Sequence, residues 1–180
     1  MPTNKVDTEI VLEVVEATLA DANIIAEIQK ITCLATYPNA TYLITKQDLL
    51  HRLSTVVSAD KWQEVLVKKD SKTFVAKVDN EIVGFCFCKK EVERGHIGSI
   101  YILPTQQGKG IGQIVLAEAI VYLGRQKPIA LEVVVYNTNA ILFYKKLGFI
   151  ESGKAIKPEQ TVVFKSGTVL PEIEMVLPQE

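Results

Sequence analysis

Cysteine is scarce in this chain, and the three residues present form an odd set. Cys86 and Cys88 stand two apart in a strand-like run, so their side chains share one face. They lack the spacing and the histidine partners of a zinc site, and no metal site is expected. The reading that fits is reduced, apolar filler. There is no excess of basic charge either: the net charge is −1. A chain so balanced does not offer nucleic acid or acidic lipid a broad cationic face. No apolar run approaches the roughly 20 residues of a membrane span, and the polar opening Met1-Pro-Thr-Asn-Lys-Val-Asp7 does not resemble a signal peptide. The expected location is therefore cytoplasmic, with no membrane partner. Repeats and low-complexity tracts are absent.

What the chain does have is apolar content. Of 180 residues, 48% are hydrophobic and 23% charged, enough for a packed core without metal or disulfide support. The length suits one domain, residues 1–180.

Periodicity orders the elements. Ile10 to Glu16 is β-branched and predicts a first strand. Asp21 begins a helical pattern and is placed to cap it. Ile24, Ile25, Ile28 and Ile31 follow at helical spacing, and Tyr37-Pro38-Asn39 ends the pattern. Thr45 to Asp48 predicts a second helix start, with Leu49, Leu50 and Leu53 as the buried stripe. A third helix is expected from about Asp60 to Val67. Thr73–Val78, the turn Asp79-Asn80 and Ile82–Cys88 predict a hairpin. A strand over Ile97–Leu103, ended by Pro104, precedes a glycine-rich turn and a helix over Ile111–Gln126. A strand over Ile129–Tyr136 and a helix over Asn137–Leu147 follow, with Gly148 placed to end the helix. Closing strands are expected at Phe149–Ser152 and Ile173–Leu177, with an extended β arm in 153–170. The order predicts an α/β (α+β) three-layer domain around one mixed sheet.

The most informative run is Gln107-Gly108-Lys109-Gly110-Ile111-Gly112, between a strand and a helix. Glycines at alternate positions leave its amides uncovered, and those amides lie where helix donors are unpaired and the dipole is positive. That is a cradle for phosphate. Gly108, Gly110 and Gly112 give G-x-G-x-G, so neither the Walker pattern nor the dinucleotide fingerprint is met. A nucleotide-binding module is disfavoured on that ground, and a turn that only lets the helix pack closely is the structural alternative.

Gln107-x-x-Gly110-x-Gly112 resembles the pyrophosphate-binding signature of the GNAT superfamily of acetyl-CoA-dependent N-acetyltransferases. Asn137, Ala140, Tyr144, Gly148 and Phe149 stand in an order similar to the family's second signature, N-x-x-A-x-x-x-Y-x-x-x-G-F. The two together cover roughly residues 96 to 150. The resemblance implies a central sheet whose strands splay apart, with acetyl-CoA as cosubstrate. Amides from Gly108 to Gly112, including Lys109 and Ile111, would then hold the pyrophosphate, while Ile100, Tyr101 and Ile102 pair with the pantetheine arm. Asn137 would bond that arm, and Ala140 and Phe143 would border it. Lys109 would be a phosphate contact or an exposed, solvated lysine.

The resemblance also implies a proton donor and a base. An alkyl amine has a pKa near 10 and must lose a proton before it attacks. Where family members often carry a glutamate, this chain holds His96, which can serve as base because histidine titrates at about 6.5. Tyr144 stands at the position of the acid that protonates the departing thiolate. Tyr37-Pro38-Asn39 and the Ile44-Thr45-x-x-Asp48 helix start look like the bacterial branch related to polyamine (spermidine/spermine) acetyltransferases. Tyr37 and Tyr42 could face a cation, and Asp48, Glu91 and Glu93 could attract one. The partner expected is thus a small-molecule amine or a peptide, with a protein N-terminus or lysine as the rival to a polyamine. The chain could also self-associate as a homodimer. The rival from another class is a coenzyme A-binding module without catalysis.

Overall fold

The computed structural model describes residues 11–156 and 161–180. Ile10 and part of the expected 153–170 arm lie outside the described residues. Seven strands form one sheet in the order β1-β2-β3-β4-β5-β7-β6. The strands are β1 Leu12–Glu16, β2 Ser71–Val78, β3 Glu81–Lys90, β4 Gly95–Ile102, β5 Ile129–Val134, β6 Ile150–Glu151 and β7 Glu172–Leu177. Neighbours pair antiparallel except β4 and β5, which run parallel. Parallel neighbours need a crossover, and helix α4, Ile111–Leu123, supplies it. The expected mixed-sheet, three-layer class is what the chain adopts.

Two apolar clusters fill the two faces. On one side α1 (Ala22–Thr36), α2 (Lys46–Val56) and α3 (Ala59–Leu66) bury Ile25, Ile28, Leu49, Leu53 and Trp62 with Val75 and Phe85 of the sheet. On the other, α4 and α5 (Thr138–Lys146) bury Val115, Leu116 and Tyr144 with Cys86, Cys88, Ile97 and Met175. Cys86 and Cys88 are fully enclosed, free thiols in that core.

Several expectations need correction. Asp21 does not cap α1: its carboxylate accepts from Thr18 N and Thr18 Oγ1 instead. Ile31 and Leu50 are half exposed, because the buried stripes run through Ala22, Ile25, Ala26 and Ile28 in α1 and through Leu49 and Leu53 in α2. Helix α4 stops at Leu123, since Gly124 takes φ +76, where a helix cannot continue. The strand after it ends at Val134, two residues before Tyr136. Among the described residues of 153–170, β pairing is limited to a single bridge, Val163 to Val169. Thr45 does start α2 as expected, with Thr45 Oγ1 accepting from Asp48 N at 3.0 Å and Asp48 reaching back to Thr45 N at 3.2 Å. Asp79 and Asn80 both take positive φ, 50° and 69°, the geometry of a tight two-residue hairpin turn.

Candidate active site

The site originates in a fault between β4 and β5. The two strands pair only at Gly95–Ile129, His96–Ala130 and Ile97–Leu131. On its other side β4 stays bonded to β3, but the register shifts at Phe87/Cys88, leaving Gly98 as an extra residue without a partner. A bulge bends its strand and increases the twist. Beyond Gly98, β4 follows β3 and leaves β5. The gap is a cleft of about 840 Å³ bordered by Gly98 to Ile102 on one wall and Leu131 to Val134 on the other.

One end of the cleft is the turn from Gln107 to Gly112. Gly108 and Gly110 have φ +77 and +80, and a β-carbon on either would meet no atom within 4 Å. Among the described residues, no acceptor takes a hydrogen bond from the amides of Gly108, Lys109, Gly110, Ile111 or Gly112. Gln107 lines the cleft while its Nε2 donates to Ile102 O at 2.9 Å, tying the turn to the end of β4. Lys109 is exposed, donates from Nζ to Gln106 Oε1 at 2.8 Å, and does not line the cleft.

Along the β4 wall, Ile100 and Ile102 pack toward α4, whereas Tyr101 turns to the α1 side. There its hydroxyl lies 3.4 Å from that of Tyr37. Across the gap, Asn137 caps α5, its Oδ1 accepting from Ala140 N at 3.3 Å, and the residue lines the cleft. Ala140 and Phe143 line the same wall. Tyr144 packs its ring against Phe143 and Phe149, with centroids 5.2 and 5.7 Å away. Its hydroxyl takes part in no side-chain hydrogen bond among the described residues, and the residue lines the cleft. Burial pushes that hydroxyl well above the usual phenol range, so it holds its proton at neutral pH.

His96 lies in the paired part of β4, outside the residues that line the cleft. Its Nε2 is 2.7 Å from Glu132 Oε2, and Glu132 does line the cleft. The other oxygen of Glu132 is enclosed, accepts no hydrogen bond, and lies 3.8 Å from Arg94 Nη2. Arg94 also pairs with Glu91 and Glu174.

The acidic residues singled out from the sequence stand elsewhere. Asp48 is spent on the α2 cap, Glu91 is held by Arg94 and Lys89, and Glu93 is exposed; none lines the cleft. Tyr37 does line it, and Tyr42 stacks on the cleft-lining Tyr136 with ring centroids 5.0 Å apart. The carboxylates actually in the cleft are Glu132 and Glu172, which sequence reasoning missed. A signal existed for the first: Glu132 is the one charged residue in the apolar strand Ile129–Val134. Glu172 is pushed up to about 7, first by burial and then by the charge of Glu132, with Arg52 pulling the other way. Among the described residues, no group is large enough in His, Cys, Asp or Glu to hold a metal ion, and no helix is long and apolar enough to cross a membrane.

Comparison with known proteins agrees with this geometry. The N-alpha-acetyltransferase of Sulfurisphaera tokodaii is 35% identical over 103 residues, 49% of this chain and 62% of that protein. The [ribosomal protein bS18]-alanine N-acetyltransferase of Haemophilus influenzae is 35% identical over 74 residues, 41% of this chain and 51% of that protein. The chain thus matches less than two thirds of the length of either relative. A paia N-acetyltransferase from Thermoplasma acidophilum, solved in complex with coenzyme A, superposes with a TM-score of 0.77 over 94% of this chain and 99% of that one. At 18% identity, that likeness is one of fold. Residues 35–149 match the profile of the Acetyltransferase (GNAT) family, and the chain belongs to that family.

Proposed function

We propose that this chain transfers the acetyl group of acetyl-CoA to a primary amine, with Tyr144 as the proton donor to the departing thiolate. The observation that carries the reading is the splayed cleft itself. Unpartnered amides and uncovered glycines stand at one end, β4 backbone along one side, and a protonated hydroxyl in the wall opposite.

The residues present fit such a donor. The amides from Gly108 to Gly112 would hold its diphosphate at the positive end of α4. The edge of β4 from Ser99 to Ile102, released from β5, would pair with the pantetheine arm, as an added strand does. The donor supplies a thioester, whose carbonyl carbon is the electrophile. The amine must first give up one proton. Its nitrogen then bonds to that carbon, the carbon–sulfur bond breaks, and Tyr144 gives its proton to sulfur. The second nitrogen proton, lost as the amide forms, restores Tyr144. Proton donation needs a group that is still protonated at neutral pH, as a phenol is.

For the acceptor, an α-amino group of a peptide is favoured over a polyamine. Both curated relatives named above carry such an activity in their names. An α-amine also titrates at about 7.7–8.0, against about 10 for an alkyl amine, and so gives up its proton at smaller cost. A small cationic amine is the second reading, kept by the tyrosines Tyr37 and Tyr136 beside the cleft carboxylates. Mass spectrometry of a mixed amine and peptide library incubated with acetyl-CoA tests the function. Acetylated peptide N termini are the expected result; binding of acetyl-CoA with no acetylated product would favour a non-catalytic binding module.

A further inference from the structure

We propose that Glu172 is the carboxylate that receives the acceptor's ammonium group and takes its first proton. The proposal rests on the transferase reading above and assigns a residue to the step which that reading left open.

Among the described residues, the geometry sets Glu172 apart from the other acids near the cleft. Glu132 and Glu172 are the two described carboxylates that line it. Glu132 is already engaged, by His96 at 2.7 Å and by Arg94 at 3.8 Å. Glu174, across from Glu132 in the sheet, is taken by Arg94. Glu172 stands opposite Val134, two pairs further into the splayed region, and its carboxylate has neither a hydrogen bond nor an ion pair among the described residues. A half-buried carboxylate with no protein partner is open to a cationic ligand. The α1 wall carries a second orphan: Thr32 is 5% exposed, lines the cleft, and its Oγ1 has no partner.

The surroundings suit a cation that must become neutral. The groups facing Glu172 are Glu132 from β5, Arg52 from α2, Tyr37 from the end of α1 and Tyr136 after β5. Lys146 borders the same cleft from α5. Two tyrosine rings and the unpaired Glu172 carboxylate favour an arriving ammonium, while Arg52 and Lys146 oppose it. Burial and the charge of Glu132 make Glu172 a stronger base than an exposed glutamate. An ordinary glutamate near 4.3 lies some six powers of ten from an alkyl ammonium and over three from an α-ammonium. A carboxyl at about 7 narrows the second gap to about tenfold. The proton moves from the ammonium nitrogen to a Glu172 oxygen, leaving a neutral amine and a neutral acid. The acid then returns the proton to water.

The test follows the Glu172 carboxyl by carbon NMR in protein labelled at the glutamate side-chain carboxyl carbons, with Glu172→Gln identifying the signal. The pH titration is run alone, with a peptide carrying a free N-terminal alanine, and with spermidine. The expected result is a midpoint near neutrality that falls by one unit or more when an amine binds, because a cation nearby favours the ionised form. In turnover, Glu172→Gln should lower kcat/KM about 100-fold or more and erase the acidic limb of its pH profile, with Glu172→Asp restoring part of both and acetyl-CoA affinity unchanged. A Glu172 signal that ignores both amines overturns the proposal, as does a variant that keeps the wild-type acidic limb. A signal that shifts with amine while no amine is acetylated supports the ammonium site and overturns the transferase reading.

Discussion

A methyl group placed on Gly98 would lie 2.7 Å from Cδ1 of Phe87, closer than any side chain tolerates. Gly98 is the extra residue that bends β4 away from β5, so this contact guards the point where the cleft opens. Gly98→Ala must push the Phe87 ring or straighten the bulge, and Phe87 packs against Trp62 with centroids 6.1 Å apart. The expected cost is about 1–3 kcal/mol, read by urea unfolding, together with weaker binding of coenzyme A by calorimetry. Full stability with full binding would show that the bulge does not depend on glycine.

Gly110 poses the opposite case. It caps α4 in the left-handed region at φ +80, with open space where a β-carbon would stand. Gly110→Ala should cost about 1–2 kcal/mol in backbone strain but raise the Kd for coenzyme A at least about tenfold, because the methyl group would sit among the amides. Calorimetry on the variant decides; unchanged affinity would remove the turn from donor binding.

Tyr144→Phe removes a hydroxyl that makes no hydrogen bond within the described protein, while its ring stays packed on Phe143 and Phe149. The melting temperature should hardly move. Release of free thiol from acetyl-CoA should slow by about 100-fold or more, as expected for loss of a positioned acid. A stable variant with wild-type thiol release would take Tyr144 out of the chemistry.

His96→Ala should act first on stability. It strips Glu132 of its 2.7 Å partner, although one Glu132 oxygen already lacks a hydrogen bond. Leaving a half-buried carboxylate so exposed to loss costs about 1–3 kcal/mol, which chemical unfolding measures. His96→Gln, which can still donate, should recover most of it; equal losses in both variants would mean that the bond is not what matters.

Glu172 makes stability depend on pH with a known sign. Its folded value, about 7, lies above the ordinary 4.5, so folding favours the protonated acid. Its favourable contribution is complete below 4.5 and lost as pH rises through 7. Ionised, the buried group costs at most about 3 kcal/mol. Glu172→Gln should therefore match the wild type in melting temperature near pH 4.5 and exceed it at pH 8. A difference that does not grow with pH would mean that Glu172 titrates like an exposed glutamate.

Local pattern carried much of this protein. The capping box at Thr45 and Asp48, the turn at Asp79-Asn80 and the glycines at 108–112 each declare themselves within a few residues, because each is a short-range backbone requirement. The helix stripes were legible less well: Ile31 and Leu50 fit the spacing, yet only packing selects which edge of an apolar stripe faces the sheet. His96 shows the same limit. Its place in the sequence marked it as a base, while the pairing of β4 with β5 at that point turns it to Glu132, outside the cleft lining.

The chain alone determined the order of strands and helices, the glycine turn before α4 and the tyrosine on α5, since periodicity, glycine placement and motif spacing are all written along one dimension. Which carboxylates meet in the cleft was decided only by tertiary structure. Glu132 and Glu172 are 40 positions apart, and antiparallel pairing of β5 with β7, next to a gap made by one bulged residue on β4, brings them to one wall. Strand register and burial set their company and their charge, and neither quantity exists until the sheet has formed.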